Sequence, residues 1–251
     1  MITIFYLPDK MSLESVKQIG FDGVSLWWSN EFGDENYRDN PALVRAAGLF
    51  VESLHMPFES VNNLWLDDHS GDSLADNFIK LVDECADYGI PTMVIHPSSS
   101  NNPPPFNEFG LDRVKRIVER AERRSVNIAF ENVRVMRHLD YVLSNISSPR
   151  VGFCYDSGHH ACYYPHEDIL VKHGSRLMSL HLHDNDGVSD QHLLPFDGVI
   201  DWVEVMRGIA KTGYTGAIAL EVLDRGYEGL AQNEFLQIAF ERGKSLNNLK
   251  R

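Results

Sequence analysis

Short apolar runs in this chain repeatedly end on residues that can bind a metal ion or move a proton. SLHMPF carries His55, VIHPSS carries His96, IAFENV carries Glu131, and FCYDSGHH carries Asp156 and His159. SLHLHDND adds His181 and His183, SDQHLL adds Asp190 and His192, and ALEV adds Glu221. One such residue alone is commonly a polar group satisfied by a hydrogen bond. So many gathered in one place would be costly without a cation to neutralise them, and their joint occurrence predicts a divalent-metal site. Imidazole and carboxylate donors without thiolate suit Zn²⁺, Mn²⁺, Co²⁺ or Fe²⁺, with Mg²⁺ also open, better than Ca²⁺ or a Cys-rich structural zinc. A set of this kind leaves a coordination position for water or substrate, as a catalytic ion requires.

For these residues to converge, the runs carrying them must be neighbouring strands with aligned ends. Strands are expected at residues 2–7, 23–28, 50–55, 92–96, 127–131, 151–156, 177–181 and 217–222. Helices are expected near 12–19, 41–47, 73–88, 109–124, 137–144, 167–173, 201–212 and 233–247. Ser12 and Asp201 stand where N-caps belong, and Gly20, Gly48, Gly89 and Gly213 stand where left-handed C-terminal residues are wanted. Eight strand-then-helix units in 251 residues predict the α/β class and a (β/α)₈ TIM barrel, with residues 1–251 forming one domain. Active sites in that fold sit at the C-terminal ends of the strands. The segments 58–72 and 97–106 (PSSSNNPPPF) follow strands, so they read either as lids over that mouth or as ordinary surface loops.

Composition narrows the function. The formal charge of −13, with no concentration of Lys and Arg, disfavours a nucleic-acid polymer as partner. The start MITIFYLPDK has no basic segment followed by an apolar stretch, and no run approaches the length of a membrane span, so a cytoplasmic protein without a membrane partner is expected. Cys85, Cys154 and Cys162 follow no zinc or redox spacing and read as reduced packing residues.

In FDGVSLWW from Phe21, and in ENV, DSGH, HLHDND with DQHLLP, and LEV, the chain resembles the xylose isomerase-like TIM-barrel superfamily. That superfamily holds sugar and sugar-phosphate isomerases and epimerases and also endonuclease IV. The resemblance spans nearly the whole chain and implies a small-molecule sugar or sugar phosphate as partner, and a homo-oligomer. It implies an epimerase-like metal set of Glu131, Asp156, His181 and Glu221, with His159 contacting substrate. The endonuclease IV-like set adds His55, His96, His159, Asp190 and His192. The family's Gly-Glu-Gly element after the DxH motif is reduced here to Gly198 in LLPFDGVIDW.

Two mechanisms follow. In the first, one metal grips the carbonyl and neighbouring hydroxyl of a ketose and stabilises an enediolate, while Glu131 and Glu221 move protons on opposite substrate faces. Both glutamates as ligands only is the plainer alternative. In the second, two or three metals activate water against a small phosphoester. A non-catalytic sugar-binding barrel would leave the ligand set idle. Trp27, Trp28, Phe58, Trp65 and Tyr163 read as sugar-stacking or packing residues. Trp28 is taken forward as a substrate contact, together with His183, which alternatively donates to a ligand carboxylate, and Arg134, which alternatively is an exposed loop arginine.

Overall fold

Parallel strands need a long crossover between them, and each apolar run here is followed by an amphipathic stretch able to supply one. The computed structural model describes residues 1–31 and 36–250. Its strands are β1 (Ile2–Tyr6), β2 (Gly23–Trp27), β3 (Phe50–His55), β4 (Thr92–Ile95), β5 (Asn127–Glu131), β6 (Val151–Asp156), β7 (Leu177–His181) and β8 (Ile218–Leu220). Helices α1 (Leu13–Ile19), α2 (Asn40–Ala46), α3 (His69–Asp87), α4 (Glu108–Arg124), α5 (Met136–Asn145), α6 (Ser157–Tyr163), α7 (Ile169–His173), α8 (Trp202–Lys211) and α9 (Gln232–Leu249) surround them. The sheet runs β7-β6-β5-β4-β3-β2-β1-β8, all parallel, and a bridge from Leu182 to Leu220 closes β7 onto β8. The chain is therefore the expected (β/α)₈ barrel.

The barrel interior is layered. Trp27, His55, His96, Glu131, Asp156, His181 and Glu221 mark the C-terminal ends of their strands. Two residues earlier on each run stand Ser25, Ser53, Val94, Ala129, Cys154, Ser179 and Ala219, all buried and small. Barrel interiors are usually filled by bulky branched side chains; here Met178 packs against the smaller Val94, Ala129 and Cys154.

Three differences from the expected elements matter for the site. DSGHH begins helix α6 at once, because Asp156 accepts from the His159 backbone N–H at 2.6 Å and caps it. α3 begins at His69, capped by Asp68, rather than near residue 73. The segment 58–72 also holds a 3₁₀ turn, Val61–Trp65, clamped to the proline-rich loop. Asn62 and Ser99 exchange two hydrogen bonds of 2.9 Å, and the Trp65 indole donates to the Pro97 carbonyl at 2.7 Å. These bonds tie the two loops to each other.

Candidate active site

Glu131, at the end of β5, is the centre of the constellation. Its Oε2 lies 3.2 Å from His55 Nε2 and 3.0 Å from His181 Nδ1, and its Oε1 lies 2.9 Å from His159 Nδ1 and 3.4 Å from His96 Nε2. His181 Nδ1 is also 3.4 Å from Glu221 Oε2. Among the described residues, four groups of three ligand atoms each close to within 4.8 Å: His55–Glu131–His181, Glu131–Asp156–His159, Asp156–His181–Glu221 and His183–Asp190–His192. His159 Nε2, 3.2 Å from Asp190 Oδ2, joins the last group to the others.

The donor set fits a metal. His159 Nδ1, His181 Nδ1, His183 Nδ1 and Asp190 Oδ1 are buried and lack a hydrogen bond of acceptable geometry, although carboxylates or imidazoles stand close by. Buried polar atoms without partners are costly, and a cation placed among them would satisfy them. Hydrogen bonds on the far side of the rings fix which nitrogen faces inward. His55 Nδ1 donates to the Met56 carbonyl at 2.9 Å, leaving Nε2 toward Glu131, and His192 Nδ1 donates to the Glu221 carbonyl at 2.7 Å. Such outer partners are the usual support of a metal-binding imidazole.

Electrostatics agree. Burial alone would raise the Glu131 carboxyl, but the imidazoles of His96 and His181 hold it well below the usual carboxylate range. Against burial, which disfavours imidazolium, Asp156 and Asp190 raise His159 well above its ordinary value, and Asp190 with Glu221 brings His192 to about 9. Burial lowers His96. The raised imidazoles of His159 and His192 hold protons that a divalent cation bound among these carboxylates would displace.

Asp184, on the loop after β7, organises the outer group. Wholly buried, it accepts from the backbone N–H groups of Asn185, Phe196 and Ile200 and from the Trp202 indole, at 2.8–3.2 Å. That fixes the loop bearing Asp190 and His192, where His192 takes the left-handed conformation at φ 53°. A Cβ on Gly198 would stand 2.2 Å from Asp184 Oδ1, so a side chain there would collide with this acceptor. Asn132 joins the tops of β5 and β6, exchanging bonds of 2.7 and 2.8 Å with the Asp156 backbone. The sequence reading missed Asp184 and gave Asn132 no role; the only signal was their place inside HLHDND and ENV.

One expected substrate contact is corrected. Trp28 follows the last residue of β2 and points outward, where its buried indole donates to Glu84 at 2.6 Å and packs on Tyr37 and Tyr88. Trp27, one residue earlier, instead faces the mouth and stacks on His55 with ring centres 4.9 Å apart, while Phe58 stacks on His96 at 4.3 Å. His183 is 0% exposed, bound to Asp156 Oδ2 at 3.1 Å and stacked on His192 at 3.8 Å, which is the placement of its alternative reading as a partner of a ligand carboxylate. Arg134 is exposed and donates to the Tyr163 hydroxyl at 2.9 Å, with Tyr163 in turn packed on His159.

Residues 13–241 match the family model described as xylose isomerase-like TIM barrel. The chain belongs to that family. It is 30% identical to an uncharacterized protein of Sinorhizobium fredii over 85% of this chain and 81% of the relative. It is 24% identical to fructoselysine 3-epimerase of Escherichia coli O157:H7 over 86% of each. Among solved structures, the IOLI protein with a binding zinc atom superposes with a TM-score of 0.79 at 16% identity, over 98% of both chains. The two mouth-facing glutamates, the histidines and the aspartates thus belong to a xylose isomerase-like barrel. Among the described residues, no helix is long and apolar enough to cross a membrane.

Proposed function

We propose that this xylose isomerase-like barrel is a divalent-metal-dependent isomerase or epimerase of a ketose, a ketose phosphate or a ketose derivative. The observation that carries the reading is the joining of His55–Glu131–His181 to Asp156–His181–Glu221 through shared ligands at the mouth. Likeness to a fructoselysine 3-epimerase supports a substrate whose carbonyl stands next to the carbon that changes configuration. Asp156, His181, Glu131 and Glu221 would hold the ion, which when bound supplies Lewis-acid stabilisation of negative charge on substrate oxygen. Glu131 and Glu221 enter from β5 and β8, so each addresses a different side of a bound sugar. Glu221 takes the proton from carbon on one side, and Glu131 returns one on the other. Trp27 and Phe58 give an apolar wall for the sugar's C–H face, and Arg134 with Tyr163 stands at the rim where a phosphate would be met.

One observation favours a second reading. Each Glu131 oxygen lies near two imidazoles, the arrangement of a carboxylate bridging two ions, and Asp190 with His192 offers a third group. A multinuclear phosphoesterase acting on a small phosphoester would use all of them. Assaying metal-loaded protein on a panel of ketoses, ketose phosphates and small phosphoesters, with the bound ions counted, separates the two. Interconversion of a ketose supports the first reading, and phosphate release with two or three ions supports the second. Turnover unaffected by a chelator that strips the protein of metal would overturn both.

A further inference from the structure

Two candidate ligands on opposite walls of the barrel, His55 and His181, are linked from beneath by one acid, Glu52. In the ring of eight strands, β3 and β7 stand four places apart in either direction, so they face each other across the interior. Strict alternation along β3, with Ser53 and His55 inward, would turn Glu52 out toward the helices. The β2–β3 pairing instead passes from Val24–Val51 to Ser25–Ser53, leaving Glu52 as the extra residue of a bulge, a device that re-aims a side chain. Its carboxylate then reaches across the barrel. Oε1 accepts from the Ser179 hydroxyl on β7 at 3.2 Å, and Oε2 accepts from the Ser53 hydroxyl at 2.6 Å.

Both serines are fully buried, and each stands two residues before a ligand, Ser53 before His55 and Ser179 before His181. The β6–β7 pairing carries a matching irregularity just before Ser179, from Phe153–Leu177 to Cys154–Ser179. The two histidines so linked are those that flank Glu131 Oε2, with ring centres 5.4 Å apart.

We propose that Glu52 is a positioning residue which, through Ser53 and Ser179, fixes the separation of His55 from His181 and so sets the affinity and geometry of the ion held between them. This rests on the metal reading above. The test is titration of metal-free protein with Co²⁺, followed by its visible absorption, for wild type, Glu52→Ala, Ser179→Ala and Glu52→Gln. Both truncations should weaken Co²⁺ binding by about tenfold or more and alter the absorption bands, as loss of an outer support does. Glu52→Gln keeps the length and hydrogen-bonds both serines, so it should restore the wild-type bands. Truncations that lower thermal stability but leave the Co²⁺ spectrum and affinity unchanged would overturn the proposal, as would a Gln variant as impaired as Ala. If Glu52→Ala does not fold, Ser179→Ala decides. Wild type that binds no Co²⁺ would overturn the metal reading itself, and with it any role for a strut.

Discussion

His192 donates through Nδ1 to the backbone carbonyl of Glu221 at 2.7 Å, so the loop after β7 and the end of β8 share one anchor. Leu223 N–H donates to the His192 carbonyl at 3.0 Å and completes the link. The outer ligand group is therefore built onto the inner one. Replacing His192 by Asn keeps a residue tolerant of φ 53° but removes the imidazole. If the outer group holds an ion of its own, as the multinuclear reading requires, bound metal per chain, read by elemental analysis after equal loading with Mn²⁺, should fall while the ion held by Asp156, His181 and Glu221 stays. Equal metal content in variant and wild type would remove His192 from the ligand set.

Asp184 accepts four hydrogen bonds in a wholly buried position, and Asn can satisfy only part of that set. Each bond to a charged acceptor contributes about 1.5–3 kcal/mol, so Asp184→Asn should destabilise the protein by roughly 3 kcal/mol or more. Denaturant unfolding of both proteins measures it. A loss under about 1 kcal/mol would show that the loop holds its shape without this acceptor.

The raised imidazoles give a pH signature. His192, at about 9 in the folded protein against about 6.5 in an unfolded chain, contributes stability that is full below the unfolded value and is lost as pH rises toward 9. His159 and His181, also raised, act in the same direction. His96, His138, His160 and His173 are lowered by burial, so their cost falls below the window from pH 7 to 8.5. Metal-free protein should therefore lose thermal stability from pH 7 to 8.5. Metal-loaded protein should not, because a cation replaces those protons more readily as pH rises. The same slope with and without metal would contradict this account.

The barrel was legible because strand–helix alternation and ligand types at strand ends are both periodic signals. Glu131, Asp156, His181 and Glu221 converge as their positions implied. What escaped the reading depends on departures from period. The sequence points to Trp28 where the structure turns Trp27 to the mouth, since a one-residue shift on a strand reverses the face. Glu52 enters the barrel only through a bulge that nothing local in LFVESLH marks. For His183 the sequence offered both a substrate contact and a ligand-carboxylate partner, and its bond to Asp156 matches the second.

Gly158 in DSGH has a steric reason. A Cβ there would stand 2.0 Å from His183 Cε1, inside the ring that bonds Asp156. Gly158→Ala should displace His183, lower bound metal and cost about 1–3 kcal/mol, as overpacking does. Elemental analysis with thermal unfolding reads both effects. An Ala variant with normal metal content and stability would show that His183 has room to move.

Exchange of substrate carbon-bound hydrogen with D₂O, followed by NMR on a ketose that the metal-loaded wild type turns over, tests the central claim most directly. Interconversion through proton transfer incorporates solvent deuterium at the carbon that changes configuration. Glu221→Gln keeps one oxygen donor and removes the base, so at full metal occupancy its turnover should fall by about 10² to 10⁴. Deuterium incorporation lost with the variant and present in wild type is the predicted result. Near-normal turnover by fully metallated Glu221→Gln, or epimerisation by wild type without any deuterium entering the product, would contradict the two-glutamate proton transfer.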